Sequence, residues 1–336
     1  MTNKYSRQTL FGPIGEEGQK KFADAHAVII GGGALGSSSA EMLARSGIGK
    51  ITIVDRDYVD ESNLQRQQLY TESDVQEKLP KAVAAEKRLR QINSDIQVAG
   101  IVADITAENI FSFIAGSSVI IDGTDNFETR LIVNDAAVKE GIPFVFGACV
   151  ASYGLSYTII PGQTPCLNCL IGHLPADGMT CDTVGVISPI VQQVAVWQVT
   201  EVFKLLAGQH TGSVLRTADI WKGEHSEVRV DALKHSACPT CAERSYPFLS
   251  YENQTKAAVL CGRNTVQIRS NTKKKMELKL IYERLGKAGV KVKGNPYLVS
   301  FEADGCQLVL FQDGRALVHG VKDIARARTI YSKWIG

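Results

Sequence analysis

A glycine-rich turn between an apolar run and a run of small residues constrains this chain more than any other feature. Ala27-Val28-Ile29-Ile30 is short and apolar, Gly31-Gly32-Gly33-Ala34-Leu35-Gly36 comes directly after it, and residues 35–46 carry Ala40, Leu43 and Ala44 at helical spacing. Strand, tight turn and helix in that order leave the helix N-terminus ready to hold a phosphate. Gly31 permits the turn, Gly33 lets backbone approach a phosphate, and Gly36 allows close helix packing, so Gly31, Gly33, Ala34 and Gly36 are candidate nucleotide contacts. Lys50-Ile51-Thr52-Ile53-Val54-Asp55 reads as the next strand. Its terminal carboxylate, Asp55, stands 19 residues beyond Gly36, where a ribose hydroxyl acceptor belongs.

Alone, this pattern favours a nicotinamide-dependent oxidoreductase. The residues beyond Asp55 place charge where hydride transfer has no use for it. Ser62-Asn63-Leu64-Gln65-Arg66-Gln67 comes after Asp55, Leu79-Pro80-Lys81 opens a helix, and Ile120-Ile121-Asp122-Gly123-Thr124-Asp125-Asn126 ends another apolar strand. Gathered at the carboxyl ends of parallel strands, these supply two cations for phosphates and carboxylates for magnesium. Each has a plainer reading: Arg66 or Lys81 as a solvated charge, Asp125 as the N-cap of the next helix. Together they point to ATP undergoing chemistry.

At 336 residues and 44% hydrophobic, the chain suits one large domain and one small one. The net charge of +2 carries no nucleic-acid signature, though its distribution is uneven. Residues 246–336 hold 16 Lys/Arg against 7 Asp/Glu, and residues 1–245 hold 21 against 28. No apolar stretch approaches the roughly 18 residues of a membrane span. The polar start, Met1-Thr2-Asn3-Lys4-Tyr5, lacks a secretory apolar region, so the expectation is a cytoplasmic protein.

Eight cysteines in that setting point to metal or catalysis rather than disulfides. Cys166-Leu167-Asn168-Cys169 and Cys238-Pro239-Thr240-Cys241 are two Cys-x-x-Cys knuckles, and two knuckles complete a closed four-sulfur zinc site. Four protein ligands leave no position for substrate, so the zinc is structural. Cys181 lies in a small, polar segment and is a candidate nucleophile toward an activated acyl group. Cys149, Cys261 and Cys306 sit in or beside apolar runs and read as core residues.

Further strands are expected over 97–102, 118–122 and 143–147, with helices over 80–91, 107–114 and 129–140 between them. The alternation predicts an α/β fold: a doubly wound, mostly parallel, Rossmann-like sheet. Residues 154–160 and 214–220 read as antiparallel additions, flanking a long apolar helix over 188–206 that must be buried in the core or at a dimer interface. Beyond Pro247, strands near 265–268, 297–301, 308–311 and 316–319, with helices near 278–288 and 324–334, predict a small α+β domain. The expected division is 1–245 and 246–336.

Tyr5-Ser6-Arg7-Gln8, the 31–36 turn, Asp55, the 62–67 segment, Pro80-Lys81 and Thr124-Asp125-Asn126 together resemble the ThiF/MoeB/HesA group over roughly residues 1–245. The remainder resembles the C-terminal extension of some bacterial members, through the 260–266 and 313–317 segments. The resemblance implies ATP-dependent adenylation of the C-terminal glycine of a ubiquitin-fold sulfur carrier ending in Gly-Gly. It assigns zinc to the same four cysteines. It also implies a homodimer in which Arg7 reaches across as an arginine finger. Asp125 is then expected on magnesium, Arg66 and Lys81 on the triphosphate, Asp55 on ribose, and Asn63 near the reacting phosphate. Ser62, Leu64, Gln65 and Asn126 complete the nucleotide contacts. Similar proteins carry a cysteine at the place of Cys181 that joins covalently to the carrier or to a sulfur donor. The donor, of cysteine desulfurase or rhodanese type, is expected to be a separate protein, since Cys261 and Cys306 lack the loop setting of a sulfur-accepting thiol. The rival readings are an oxidoreductase and a non-catalytic binding module; within the family, tRNA-modifying or peptide-adenylating relatives. The carrier, ThiS-type or MoaD-type, is left open.

Overall fold

The computed structural model describes residues 3–173, 184–210, 212–250, 257–260, 264–269 and 275–335. They divide into two compact units, the larger holding 3–173, 186–210 and 212–250 and the smaller holding 184–185, 257–260, 264–269 and 275–335. Cys181 and Cys261 lie outside the described residues.

In the larger unit, α1 (Ser6–Thr9) and α2 (Gly15–Asp24) precede β1 (His26–Ile30) and α3 (Ala34–Arg45). Next come β2 (Lys50–Asp55), α4 (Glu72–Gln76), α5 (Lys81–Ile92), β3 (Gln97–Val102), α6 (Ile110–Ile114) and β4 (Val119–Asp122). The unit closes with α7 (Phe127–Glu140), β5 (Phe144–Val150), β6 (Tyr153–Ile159), α8 (Leu167–Leu170), α9 (Ser188–Ala207), β7 (Val214–Asp219) and β8 (Glu224–Arg229). The eight strands form one sheet in the order β3-β2-β1-β4-β5-β6-β7-β8, parallel from β3 to β5 and antiparallel beyond. This is the expected mixed sheet. Strand order reverses between β1 and β4, which opens a crevice beyond their carboxyl ends.

Apolar strands with both faces covered explain the near-continuous hydrophobic runs of β1, β2 and β4. One face packs Ile29, Ile51, Ile53 and Ile121 against α3 and α5; the other packs Val28, Ile30 and Ile120 against α6 and α7. Helix α9 begins with Pro189 in its first turn and ends at Gly208, whose φ of 76° provides the left-handed C-cap. It buries Ile190, Val191, Val194, Val199 and Val202, while Val196 remains 45% exposed. Gln198, fully buried on the same helix, donates to the Asp122 and Val145 carbonyls and accepts from Ser39 Oγ. A core amide is tolerated there because these partners replace water.

Helices α1, α2, α4 and α8 were not among the expected elements, and two further elements of this unit also differ from expectation. Helix α6 starts at Ile110 rather than 107 because Asn109 folds the chain before it: its Oδ1 accepts the Thr106 N–H at 2.9 Å and its Nδ2 donates to the Asp104 carbonyl at 2.8 Å. Strand β8 was not expected, since Glu-His-Ser-Glu-Val-Arg lacks an apolar alternation, and all six residues are exposed. Its pairing with β7 makes it a strand, and its charges protect an edge.

The smaller unit is a six-stranded antiparallel sheet, β9 (Ala257–Leu260), β10 (Thr265–Ile268), β11 (Val292–Gly294), β12 (Leu298–Ala303), β13 (Cys306–Phe311) and β14 (Ala316–His319), ordered β11-β12-β13-β14-β10-β9. Helices α10 (Leu278–Lys287) and α11 (Ile324–Trp334) lay Leu278, Ile281, Leu285, Ala327 and Ile330 against Val266, Phe301, Leu308, Leu310 and Val318. Cys306 is in this core, as expected; Cys149 is half-buried beside α9. Among the described residues no helix is long and apolar enough to cross a membrane.

One buried acid ties α9 to the antiparallel strands. Glu201, 5% exposed, accepts from Lys204 at 2.9 Å and Arg216 at 2.8 Å, and faces His210 Nε2 at 3.3 Å. Burial by itself raises a carboxyl pKa, but the hydrogen bonds of His210 and Lys204 and the charges of Lys204 and Arg216 hold it down at about 2. The unfolded carboxyl titrates near 4.5, so the stabilisation is complete above that pH and fades as pH falls toward 2. Glu201→Gln should therefore lower Tm most at neutral pH. The gap between variant and parent should close across that acidic window in thermal unfolding; a gap independent of pH would refute the ionic role.

Candidate active site

The glycine turn is built by backbone contacts that exclude side chains. Gly31, with φ of 93°, accepts no Cβ: one placed there would stand 2.5 Å from the Gly123 carbonyl oxygen, at the end of β4. A Cβ at Gly36 would overlap the Gly31 carbonyl, so α3 lies directly on the turn. Asp55, 8% exposed, supports the turn from β2, its Oδ2 accepting the Gly32 N–H and its Oδ1 the Asp57 N–H, both at 2.6 Å. Each oxygen keeps a second lone pair for a ligand. Burial raises the Asp55 pKa, and the Lys81 charge and the two N–H groups work against that rise. Tyr70, 6% exposed, donates its hydroxyl to the Gly32 carbonyl at 2.5 Å, and burial drives its pKa well up.

The charged residues of the later motifs meet this turn through Asp57 and Arg56, two residues that sequence reasoning missed although they adjoin Asp55. Lys81 opens α5, only 4% exposed, with its backbone N–H on the Asp57 carbonyl at 2.9 Å and its Nζ 3.8 Å from Asp57 Oδ2. A lysine this buried is not a solvated charge. Burial opposes the charge of Arg56, but Asp104 at 3.2 Å, then Asp57, Asp125 and Asp55, raise its pKa. One guanidinium thus senses the carboxylates at the ends of β2 and β4 together.

Asp125 is exposed and does not cap α7; Asn126 does, its Oδ1 accepting the Thr129 N–H at 2.8 Å, a bond worth about 1 kcal/mol. The loop around Asp125 is fixed by Arg130, another residue sequence reasoning passed over. Arg130 pairs with Asp122 at 2.9 Å, donates to the Thr124 and Gly147 carbonyls, and lies over the rings of Phe127 and Phe146.

In the 62–67 segment, Asp60 caps the turn by accepting from Ser62 N–H and Oγ. Asn63 is fully buried, with its Oδ1 on the Asp60 N–H at 3.3 Å. Its Nδ2 and the Gln67 Oε1 are buried without a hydrogen-bond partner among the described residues. Two such atoms are groups that a polar ligand or ordered water would satisfy. Leu64 packs against the core, and its backbone N–H donates to the Glu61 carbonyl at 3.2 Å. Gln65 is exposed, and Arg66 is half-buried with Nη1 turned back to the Ser62 carbonyl at 2.8 Å.

Arg7 is not brought to this site within its own chain. Lys4 donates to Asn93 and Asp95, Tyr5 Oη accepts from Asn93 Nδ2, and Gln8 donates to the Ser46 carbonyl. Those anchors are the C-terminal ends of α3 and α5, whose N-terminal ends carry the glycine turn and Lys81. Each helix has 12 residues, so the arm sits about 18 Å from the phosphate end.

The two knuckles converge despite the 68 residues between them. Cys166 Sγ lies 3.6 Å from Cys238 Sγ and 4.0 Å from Cys169 Sγ, Cys169 lies 3.6 Å from Cys241, and all four fall within 4.8 Å of one another. Zn–S bonds of about 2.3 Å put tetrahedral S···S edges near ~3.8 Å, so the donors fit zinc. Burial pushes the Cys166 thiol up and Cys241 to about 11, states that a dication reverses by displacing the protons. An open cavity of about 800 Å³ in the smaller unit, bordered by Lys275, Tyr282, Asn295 and Gln312, contains none of these motif residues.

Comparison with known proteins agrees with this geometry. The sulfur carrier protein ThiS adenylyltransferase of Bacillus subtilis is 64% identical over 336 residues, the whole of both chains. The ThiS adenylyltransferase of Escherichia coli is 36% identical over 241 residues, 71% of this chain and 94% of its own. The crystal structure of E. coli MccB with ATP shares the fold, with a TM-score of 0.62 at 22% identity over 71% of this chain and 75% of that one. The ThiF family profile matches residues 5–240, and with the full-length likeness it establishes that the chain belongs to the ThiF family.

Proposed function

We propose that this chain adenylates the C-terminal glycine carboxylate of a ubiquitin-fold sulfur carrier, at the crevice beyond β1 and β4, and that the carrier is of the ThiS type. The observation that carries the activity is the meeting of the glycine turn, buried Lys81 and the Asp125 loop at one strand-order reversal in a ThiF-family chain. The ThiS assignment rests on the B. subtilis relative, whose likeness also spans the small C-terminal unit.

The carrier carboxylate, with a pKa of roughly 3.5, is ionised at neutral pH and attacks the α-phosphorus without a general base. A carboxylate–phosphorus bond forms, the α–β phosphoanhydride breaks, and pyrophosphate leaves with its electrons. The protein's task is to hold like charges together and in line. The turn N–H groups and Lys81 take phosphate oxygens, and Arg66 joins them once it leaves the Ser62 carbonyl. Asp55 accepts from ribose, and Asn63 Nδ2, buried without a hydrogen-bond partner among the described residues, is a donor available to the nucleotide. Asp125 would hold magnesium, which supplies neutralisation of the triphosphate charge. Zinc would be held by Cys166, Cys169, Cys238 and Cys241 as a structural brace. Cys181 takes part after adenylation, when a persulfide donor protein of desulfurase or rhodanese type displaces AMP. The reduced thiols this scheme needs are those of the cytoplasm.

The catalytic unit is a homodimer in this reading. Arg7 is anchored at the far end of α3 and α5, and Leu10 and Phe11 beside it are 73% and 60% exposed, apolar surface suited to an interface. The partner's arm then supplies Arg7 in trans.

ATP–pyrophosphate exchange by the purified chain should require a ThiS-type carrier; exchange that depends instead on a MoaD-type carrier would reassign the substrate, and none with either would refute adenylation. Lys81→Ala and Asp125→Ala should lower exchange by at least ~10²-fold, the usual cost of one transition-state contact. Cys181→Ala should keep exchange and lose thiocarboxylate formation.

Arg7→Ala and Asp125→Ala chains should each be inactive alone, yet a refolded equimolar mixture should recover roughly one quarter of parental exchange, because half the dimers then hold one intact composite site. No recovery in a mixture shown to contain heterodimers would place Arg7 outside the partner's site.

A further inference from the structure

Helix α7 carries two fully buried polar residues in sequence, Asn134 and Asp135, that no step of the adenylation uses. Asn134 Oδ1 accepts the N–H of Leu167, the residue after Cys166, at 2.8 Å. Asp135 Oδ1 accepts the hydroxyl of Thr240, between Cys238 and Cys241, at 2.6 Å, and its Oδ2 accepts the Phe248 N–H at 2.9 Å. Asn134 Nδ2 faces Asp135 Oδ1 at 3.3 Å, and Asn168 Nδ2, between Cys166 and Cys169, donates to Thr240 Oγ1 at 3.3 Å. Thr240 is itself fully buried.

We propose that Asn134 and Asp135 are positioning residues for the metal centre, with Thr240 as the contact through which Asp135 sets the second knuckle. The proposal rests on the reading of the four cysteines as a zinc site. A carboxylate buried this deeply is costly unless its oxygens are matched by donors, and both oxygens of Asp135 are matched by groups of the second knuckle region. The first knuckle is tied to the same helix by a backbone N–H on Asn134. The two halves of the site, far apart in sequence, are thus fastened to adjacent positions of one rigid helix and to each other through Asn168 and Thr240. Four thiols arranged in advance bind a tetrahedral ion without an ordering cost at the moment of binding.

The test is zinc retention by the full chain, measured by elemental analysis and by competition with the chromophoric chelator 4-(2-pyridylazo)resorcinol. Wild type should hold one zinc per chain. Thr240→Val, which keeps the shape of the side chain and removes its hydroxyl, should hold zinc 10–100-fold more weakly. Asp135→Asn should weaken it similarly, and Thr240→Ser, which restores the hydroxyl, should return affinity close to wild type. A role in folding alone lowers Tm in all three variants without the Val/Ser difference in affinity. A folded Thr240→Val protein that retains zinc as tightly as zinc-loaded wild type overturns the proposal. Wild type without stoichiometric zinc overturns the metal reading itself, and the proposal with it.

Discussion

The close approach of Gly31 to Gly123 is the contact on which the rest depends. Parallel strands β1 and β4 deliver their carboxyl ends side by side, and no side chain fits between the two turns. With Cβ atoms excluded, α3 settles directly over the turn and presents its first N–H groups to the crevice. Any residue other than glycine at these places would separate the strands and misplace every group that converges there.

Charge at the crevice is organised by burial as much as by number. Lys81 and Asp55 are both almost inaccessible, and neither is stable alone in that state. Asp55 is held by two backbone donors, Lys81 by the nearby Asp57, and Arg56 by four carboxylates. An anionic triphosphate entering such a place would find the turn dipoles and Lys81 already fixed, so these groups would need little reorganisation during adenylyl transfer. The same logic recurs away from the crevice: Arg130 with Asp122 fixes the Asp125 loop, and Glu201 with three partners fixes α9.

Helix α7 relates two features that sequence places far apart. Its first turn comes after the Asp125 loop and is capped by Asn126, and its middle carries Asn134 and Asp135 against the knuckles. A helix held at its first turn and its middle has little freedom to tilt, so the four cysteines and the candidate nucleotide loop share one rigid support.

Much of the fold was legible in the sequence. The glycine turn, the β-branched strands and the helical periodicities are local patterns, and the elements they predict for β1 to β6, α3, α5, α7 and α9 are found within a few residues. The four cysteines were legible as a set because metal ligation demands a fixed residue type at fixed short spacing. Strand β8 was not, since its residues carry no apolar period and only the edge of β7 makes them a strand. Arg56, Asp57, Tyr70 and Arg130 were also missed, because a polar residue reveals its partner only when the chain brings distant segments together. The sequence by itself determined which backbone shapes are possible and which chemistry is carried. Tertiary structure alone decided that Asn126 rather than Asp125 caps α7, that Lys81 is buried beside Asp57, and that Arg7 is anchored about 18 Å from its own crevice. Those outcomes depend on distances between residues remote in sequence, which local propensity does not encode.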